Sequence, residues 1–139
     1  MIKFESLKSD ILDRLPAATA VLQSRREVVF AYLFGGLANG YLRPLSDVDI
    51  AVYLGEDMGP DTKLPLFNEL SDALRTSELD LVVLNTAPIS LTGRILSNKK
   101  NLVDKNPFLR HRYESLTRRK YFDFQWIEND FFDRKFGKG

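Results

Sequence analysis

Phe4, Leu7, Ile11, Leu12 and Leu15 recur at spacings of three and four, so they share one face of a helix from Lys3 to Leu15 whose end Pro16 predicts. Val28 to Phe34 (VVFAYLF), Asp47 to Leu54 (DVDIAVYL) and Leu79 to Leu84 (LDLVVL) show a different pattern, continuous apolar runs of strand length. Such runs predict strands covered on both faces. Between the first two, the glycines after Phe34 form a turn and LANGYL can start a short helix. Between the second and third, Thr62 to Arg75 carries Leu64, Leu66, Phe67, Leu70, Ala73 and Leu74 at helical spacing. Past Pro88, Ile89 to Ser97 predicts a short helix and Lys100 to Asp104 a short strand or extended segment. The order strand, helix, strand, helix, strand predicts an α/β (α+β) fold, a small mixed β-sheet flanked by helices.

From Pro107 the pattern changes. Nine of the sixteen aromatic residues fall between Phe108 and Phe136, interleaved with Arg110, Arg112, Arg118, Arg119 and Arg134. Residues 107–139 therefore form a helical and aromatic segment that packs on the sheet or meets a partner. Most of its rings are expected to complete the core, with Arg119, Lys120 and Tyr121 as the candidates for a partner surface.

Length and composition narrow the chemistry. A chain of 139 residues fits one domain, 1–139, and its 44% hydrophobic and 28% charged content is that of an ordinary globule. A formal charge of +1 provides no global field for long nucleic acid or membrane, so a charge-based function has to be local. There is no cysteine and a single histidine, His111, which excludes disulfides, a thiol nucleophile and the usual zinc sites. A metal would be a hard, oxygen-bound ion. His111, alone in an arginine-rich stretch, reads as a surface or interface residue. No apolar run reaches the length of a membrane span and the N-terminus lacks a signal-like core, so the expected location is cytoplasmic.

Within this frame FGGLANGYLRPLSDVDIAV, residues 34–52, sets two acids on an apolar strand. Residues two apart on a strand share a face, so Asp47 and Asp49 are neighbours, and Asp80 joins them if its strand is adjacent and in register. Like charges 4 Å apart cost about 4 kcal/mol at an effective dielectric near 20, which calls for a compensating cation. Mg2+ suits carboxylates shared with phosphate oxygens, and two such ions roughly 3.5 to 4 Å apart clamp a displacement at phosphorus. Gly35 and Gly36 leave a turn without side chains, where backbone N–H groups can approach a triphosphate.

Gly35, Ala38, Gly40, Ser46, Asp47 and Asp49 resemble the nucleotidyltransferase signature Gly-Ser, ten residues, Asp-x-Asp, in the form G-S-x-A-R-G-x5-S-D-x-D. With Asp80 as third acid, the chain looks like a minimal nucleotidyltransferase (MNT) of the DNA polymerase beta superfamily, with a signature core of about 28–85. NPFLRHRYESLTRRKYFDF, residues 106–124, is similar to the tail of MNT antitoxins. The resemblance implies a HEPN-domain ribonuclease toxin as partner, neutralised by transfer of AMP from ATP to a tyrosine, and a homo- or hetero-oligomer. It makes Asp47, Asp49 and Asp80 the catalytic and Mg2+-holding residues, with Gly35, Gly36 and Ser46 at the nucleotide. Gly36 stands where the family has serine and Asn39 where it has arginine, and Arg43 is the candidate replacement cation.

Two other readings stand beside this one. The losses at Gly36 and Asn39 fit an MNT protein that neutralises its toxin by binding alone. RHRYESLTRRK, residues 110–120, resembles a nucleic-acid patch, but Glu114, Asp123, Glu128, Asp130 and Asp133 dilute it and favour a solvated helix face.

Overall fold

The computed structural model describes residues 2–38, 48–55 and 61–137. The elements in chain order are α1 (Ile2–Ser24), β1 (Val28–Phe34), α2 (Gly35–Ala38), β2 (Val48–Leu54), α3 (Lys63–Leu74), β3 (Leu79–Val83), α4 (Ile89–Asn98), β4 (Lys100–Asp104) and α5 (Pro107–Phe136). The four strands form one mixed sheet in the order β3-β2-β1-β4. β1 runs antiparallel to both β2 and β4, and β2 runs parallel to β3. The mixed sheet between helices is the predicted fold class. No helix among the described residues is long and apolar enough to cross a membrane.

The apolar runs of β1 and β2 are explained by their place. Both are central strands with helices on each face, so alternate side chains enter two different cores. On one side Ala31, Leu33, Ile50 and Val52 pack with Ile11, Ala18 and Leu22 of α1 and with Leu66, Leu70 and Leu74 of α3. On the other, Phe30, Tyr32, Phe34 and Ala51 meet Ile95 and Leu96 of α4, with Leu109 and Tyr113 of α5 packed against them.

Two expectations are corrected. Pro16 does not end the first helix, which continues to Ser24 with the proline inside it. Its missing N–H costs one backbone bond, yet Ile11, Leu15, Ala18 and Leu22 keep one stripe across the proline and bury it against the sheet and α3. The second correction concerns the aromatic tail. Phe108, Phe122, Trp126, Phe131, Phe132 and Phe136 are exposed, so most of its rings lie outside the core. The first half of α5 fills the available contact, and of the helix residues beyond Phe124 only Asp130 is even half-buried.

That first half is anchored by charge. Asn106 caps it by accepting a bond from the Leu109 N–H at 3.1 Å. Glu114, buried on the inner face, accepts a bond from the Tyr32 hydroxyl at 2.7 Å and ion-pairs with Lys99 at 2.8 Å. Arg110 donates to both Glu114 oxygens at 3.2 Å and to Asp104 at 2.8 Å. One carboxylate thereby joins α5 to β1, to the end of α4 and, through Arg110, to β4. Tyr121 completes the seating, because its ring occupies the space a Cβ on Gly93 would need.

Burial alone would raise the Glu114 carboxyl, but the bonds from Lys99 and Tyr32 outweigh it and hold the group at about 2, below the ordinary 4.5. A depressed carboxyl stabilises the fold fully above pH 4.5 and loses that contribution as pH falls toward 2. Two and a half units correspond to about 3 kcal/mol, of which about 2 kcal/mol is lost by pH 3. Urea unfolding at pH 6 and pH 3 is therefore expected to show the stability gap between wild type and Glu114→Gln narrowing by about 2 kcal/mol.

Candidate active site

The site lies at the end of the sheet where β1 finishes and β2 and β3 begin. Asp49, second residue of β2, pairs directly with Asp80, second residue of β3. Paired residues of parallel neighbours project to the same face, across strands about 4.8 Å apart. By alternation that face is the one carrying Phe34 and Ala51. The two acids differ in setting: Asp49 is only 2% exposed and forms a floor, whereas Asp80 is open to solvent at the mouth.

The register behind this pairing is held at both ends. The Val48 N–H donates to the Glu78 carbonyl at 3.3 Å at the start. At the far end Asn85 acts as a substitute strand residue: its side-chain oxygen accepts from the Leu54 N–H at 2.9 Å and its amide donates to the Leu54 carbonyl at 2.8 Å. A slip of one residue would break both and turn Asp80 into the core under α3.

Gly35 closes the third side. It follows β1, opens the four-residue α2 and has φ +75°, a left-handed conformation. Its bare Cα faces the Asp49 carboxylate so closely that a Cβ would overlap Oδ2 and stand 2.9 Å from Cγ. Backbone thus approaches a buried acid where any side chain would intervene. Gly36 follows in the same turn and is buried.

Of the predicted site residues, the structure brings together Asp49, Asp80 and Gly35, with Gly36 beside them. Asn39, Arg43, Ser46 and Asp47 lie outside the described residues. Asp49 and Asp80 supply hard oxygen donors that fit a divalent ion such as Mg2+. Among the described residues no group of three acids or histidines gathers on one point. His111 is exposed, as expected. Arg119 and Lys120 are exposed, but Tyr121 packs on Gly93 and belongs to the fold. The Glu114 cluster went unread, because Glu114 was expected to be a solvated acid. Its signal was the spacing of four to Arg110 and to Arg118, with both of which it pairs.

The family model described as Polymerase beta, Nucleotidyltransferase matches residues 17–108, a span holding the four strands of the described sheet and Asp47, Asp49 and Asp80. No curated protein sequence matches the chain significantly. Among solved structures, a doubly substituted MntA toxin-antitoxin crystal structure is similar with a TM-score of 0.68, 21% identity and coverage of 91% of this chain and 96% of that one. A tri-AMPylated Shewanella oneidensis HEPN toxin in complex with MNT antitoxin gives 0.62, 21%, 94% and 96%. A toxin-antitoxin structure with AMP-PNP gives 0.60, 21%, 91% and 93%. These likenesses extend the fold match past residue 108 and along α5.

Gly35→Ala is expected to destabilise by about 2 to 3 kcal/mol, from the positive φ together with the overlap with Asp49. In an Asp49→Ala background the overlap vanishes and the cost should fall to about 1 kcal/mol. Denaturant unfolding of the four proteins measures this coupling; additive costs would mean that Gly35 and the acid do not meet.

Proposed function

The chain belongs to the polymerase beta nucleotidyltransferase family, and from that premise we propose that it is a cytoplasmic antitoxin that transfers AMP from ATP to a hydroxyl, a tyrosine's, of a HEPN ribonuclease toxin. The observation that carries this reading is the pairing of Asp49 with Asp80 beside the bare backbone of Gly35. An AMP-PNP complex and an AMPylated HEPN toxin among the similar structures agree with it.

Asp47, Asp49 and Asp80 are the residues that would hold Mg2+, two ions in this reading. Bound there, the metal supplies Lewis-acid polarisation of the α-phosphate and charge neutralisation. The chain's own groups do the rest. Gly35 and Gly36 admit the triphosphate against the main chain, and Ser46 and Arg43 add a hydroxyl and a cation. Asp80, the acid open at the mouth, accepts the proton of the incoming hydroxyl as its oxygen bonds to the α-phosphorus. The bond from that phosphorus to the bridging oxygen breaks, and pyrophosphate leaves. Asp49, buried and braced by the register, keeps its carboxylate fixed throughout, so no reorganisation accompanies the transfer.

A second reading, neutralisation by binding alone, is favoured by Gly36 and Asn39, which remove a hydroxyl and a cation from the nucleotide site. One experiment separates the two. Labelled ATP, Mg2+ and the HEPN toxin are incubated with wild type and with Asp49→Asn; transfer of label is expected with the first and a reduction of about a hundredfold or more with the second. Wild-type protein that neutralises the toxin without labelling it, and an Asp49→Asn variant that neutralises equally well, would establish binding instead.

A further inference from the structure

The flank of α4 that α5 leaves open carries an arginine with nothing to hold. On its inner side α4 packs Ile95 and Leu96 against Phe34 and Ala51, on the sheet face that bears Asp49 and Asp80. Gly93 receives the Tyr121 ring and Lys99 reaches Glu114, so these two mark the side of α4 turned to α5. α5 itself is fastened to β1 through Tyr32 and to β4 through Asp104. At about 100° per residue, Arg94 and Asn98 each fall about 160° from the direction midway between Gly93 and Lys99. They therefore stand on the flank over β2 and β3, the strands that carry the paired acids. Both are exposed, and Val82 beneath that flank is only half-buried. The placement along the sheet agrees. α4 returns from the end of β3 to the start of β4, beside the end of β1, and packs next to α2, which Gly35 opens.

Arg94 makes no hydrogen bond or ion pair among the described residues. The cations next to it in sequence are placed otherwise: Lys99 is spent on Glu114, and Lys100 pairs with Leu33 on the face under α1 and α3. The site has a use for a free guanidinium, because Asn39 leaves the nucleotide pocket one cation short of the signature. We propose that Arg94 is a phosphate-holding residue of this site, gripping the phosphate chain of ATP from the α4 wall while the acids hold its metal from the floor. The assignment rests on the nucleotidyl-transfer reading above and adds to it a residue outside the signature. The chemistry suits the place. Carboxylates repel a phosphate unless a cation stands between them, so the floor orders the chain only through the metal. A guanidinium opposite offers two parallel N–H donors to the oxygens that the metal leaves free. Arg43, the other candidate cation, lies outside the described residues, whereas the place of Arg94 is fixed by the packing of α4.

The test is binding to the full chain. AMP-PNP in Mg2+ is titrated by calorimetry into wild type, Arg94→Gln, Arg94→Lys and Arg43→Gln, and the melting temperature of each ligand-free protein is recorded. Expected are a loss of affinity of about ten- to hundredfold in Arg94→Gln and a partial recovery in Arg94→Lys. Melting of the free proteins should not change, because the side chain holds nothing there. Tripolyphosphate, which has the phosphates without the nucleoside, should displace AMP-PNP from wild type more readily than from Arg94→Gln once each is scaled to its own AMP-PNP affinity. Equal displacement would put the guanidinium at the nucleoside and overturn the phosphate assignment. Arg94→Gln that binds AMP-PNP as tightly as wild type overturns it too, and a loss seen only in Arg43→Gln moves the role to that residue. Lowered melting in both Arg94 variants would make the residue a structural one and end the proposal. A folded wild type that binds no AMP-PNP would remove the nucleotidyl-transfer reading, and the part of Arg94 with it.

Discussion

The pairing register between β2 and β3 is the constraint on which the rest of the structure turns. Side chains alternate sides along a strand, so the residue that opposes Asp49 decides whether an acid or an apolar group enters each core. The observed pairing places Leu79, Leu81 and Val83 under α1 and α3 and sets Asp80 beside Asp49 on the opposite face. One shift of a single residue would bury a carboxylate among leucines and expose leucines at the sheet end. Hydrophobic burial and site geometry are thus satisfied by the same register, and neither can be changed alone. Asn85 supports it from the far end, where a side-chain amide takes the bonds that a strand residue would have made.

β1 and β2 were legible in the sequence because they are central and covered on both faces, and the border strands β3 and β4 because each keeps a short apolar run. Val28–Phe34 and Lys100–Asp104 emerged with the expected bounds, and Leu79 differed only at its far end. The first helix was misjudged at Pro16, where a local rule about a missing N–H gave way to a stripe, Ile11, Leu15, Ala18 and Leu22, whose burial outweighs one backbone bond. The acids of the site were visible as residue types. That Asp80 faces Asp49 was not, since strand order is a tertiary property on which local periodicity is silent. The aromatic tail was read by composition, as rings seeking a core; the core had already been filled by Leu109, Tyr113 and the neighbours of Gly93.

α5 is accordingly a helix with two unlike sides. Its inner side is joined to the sheet by one buried carboxylate shared among a phenol, an ammonium and a guanidinium. The Tyr32 phenol is pushed well above its ordinary range by burial and by Glu114, so it stays a donor. Sequestering Glu114 there removes one carboxylate from the solvent side, where Asp123, Glu128 and Asp133 remain exposed among the basic residues. Its distal turns, beyond Phe124, add rings that no other part of the described chain covers.

β3 forms one border of the sheet, and its second residue is the open acid Asp80. A border strand offers unused main-chain donors and acceptors to any passing chain, and charge placed on it discourages such annealing. The acid at the mouth therefore protects colloidal behaviour as well as standing in the proposed site. Converting it to a neutral amide removes both at once, so lost activity in such a protein has to be separated from clumping by light scattering before it is credited to the reaction.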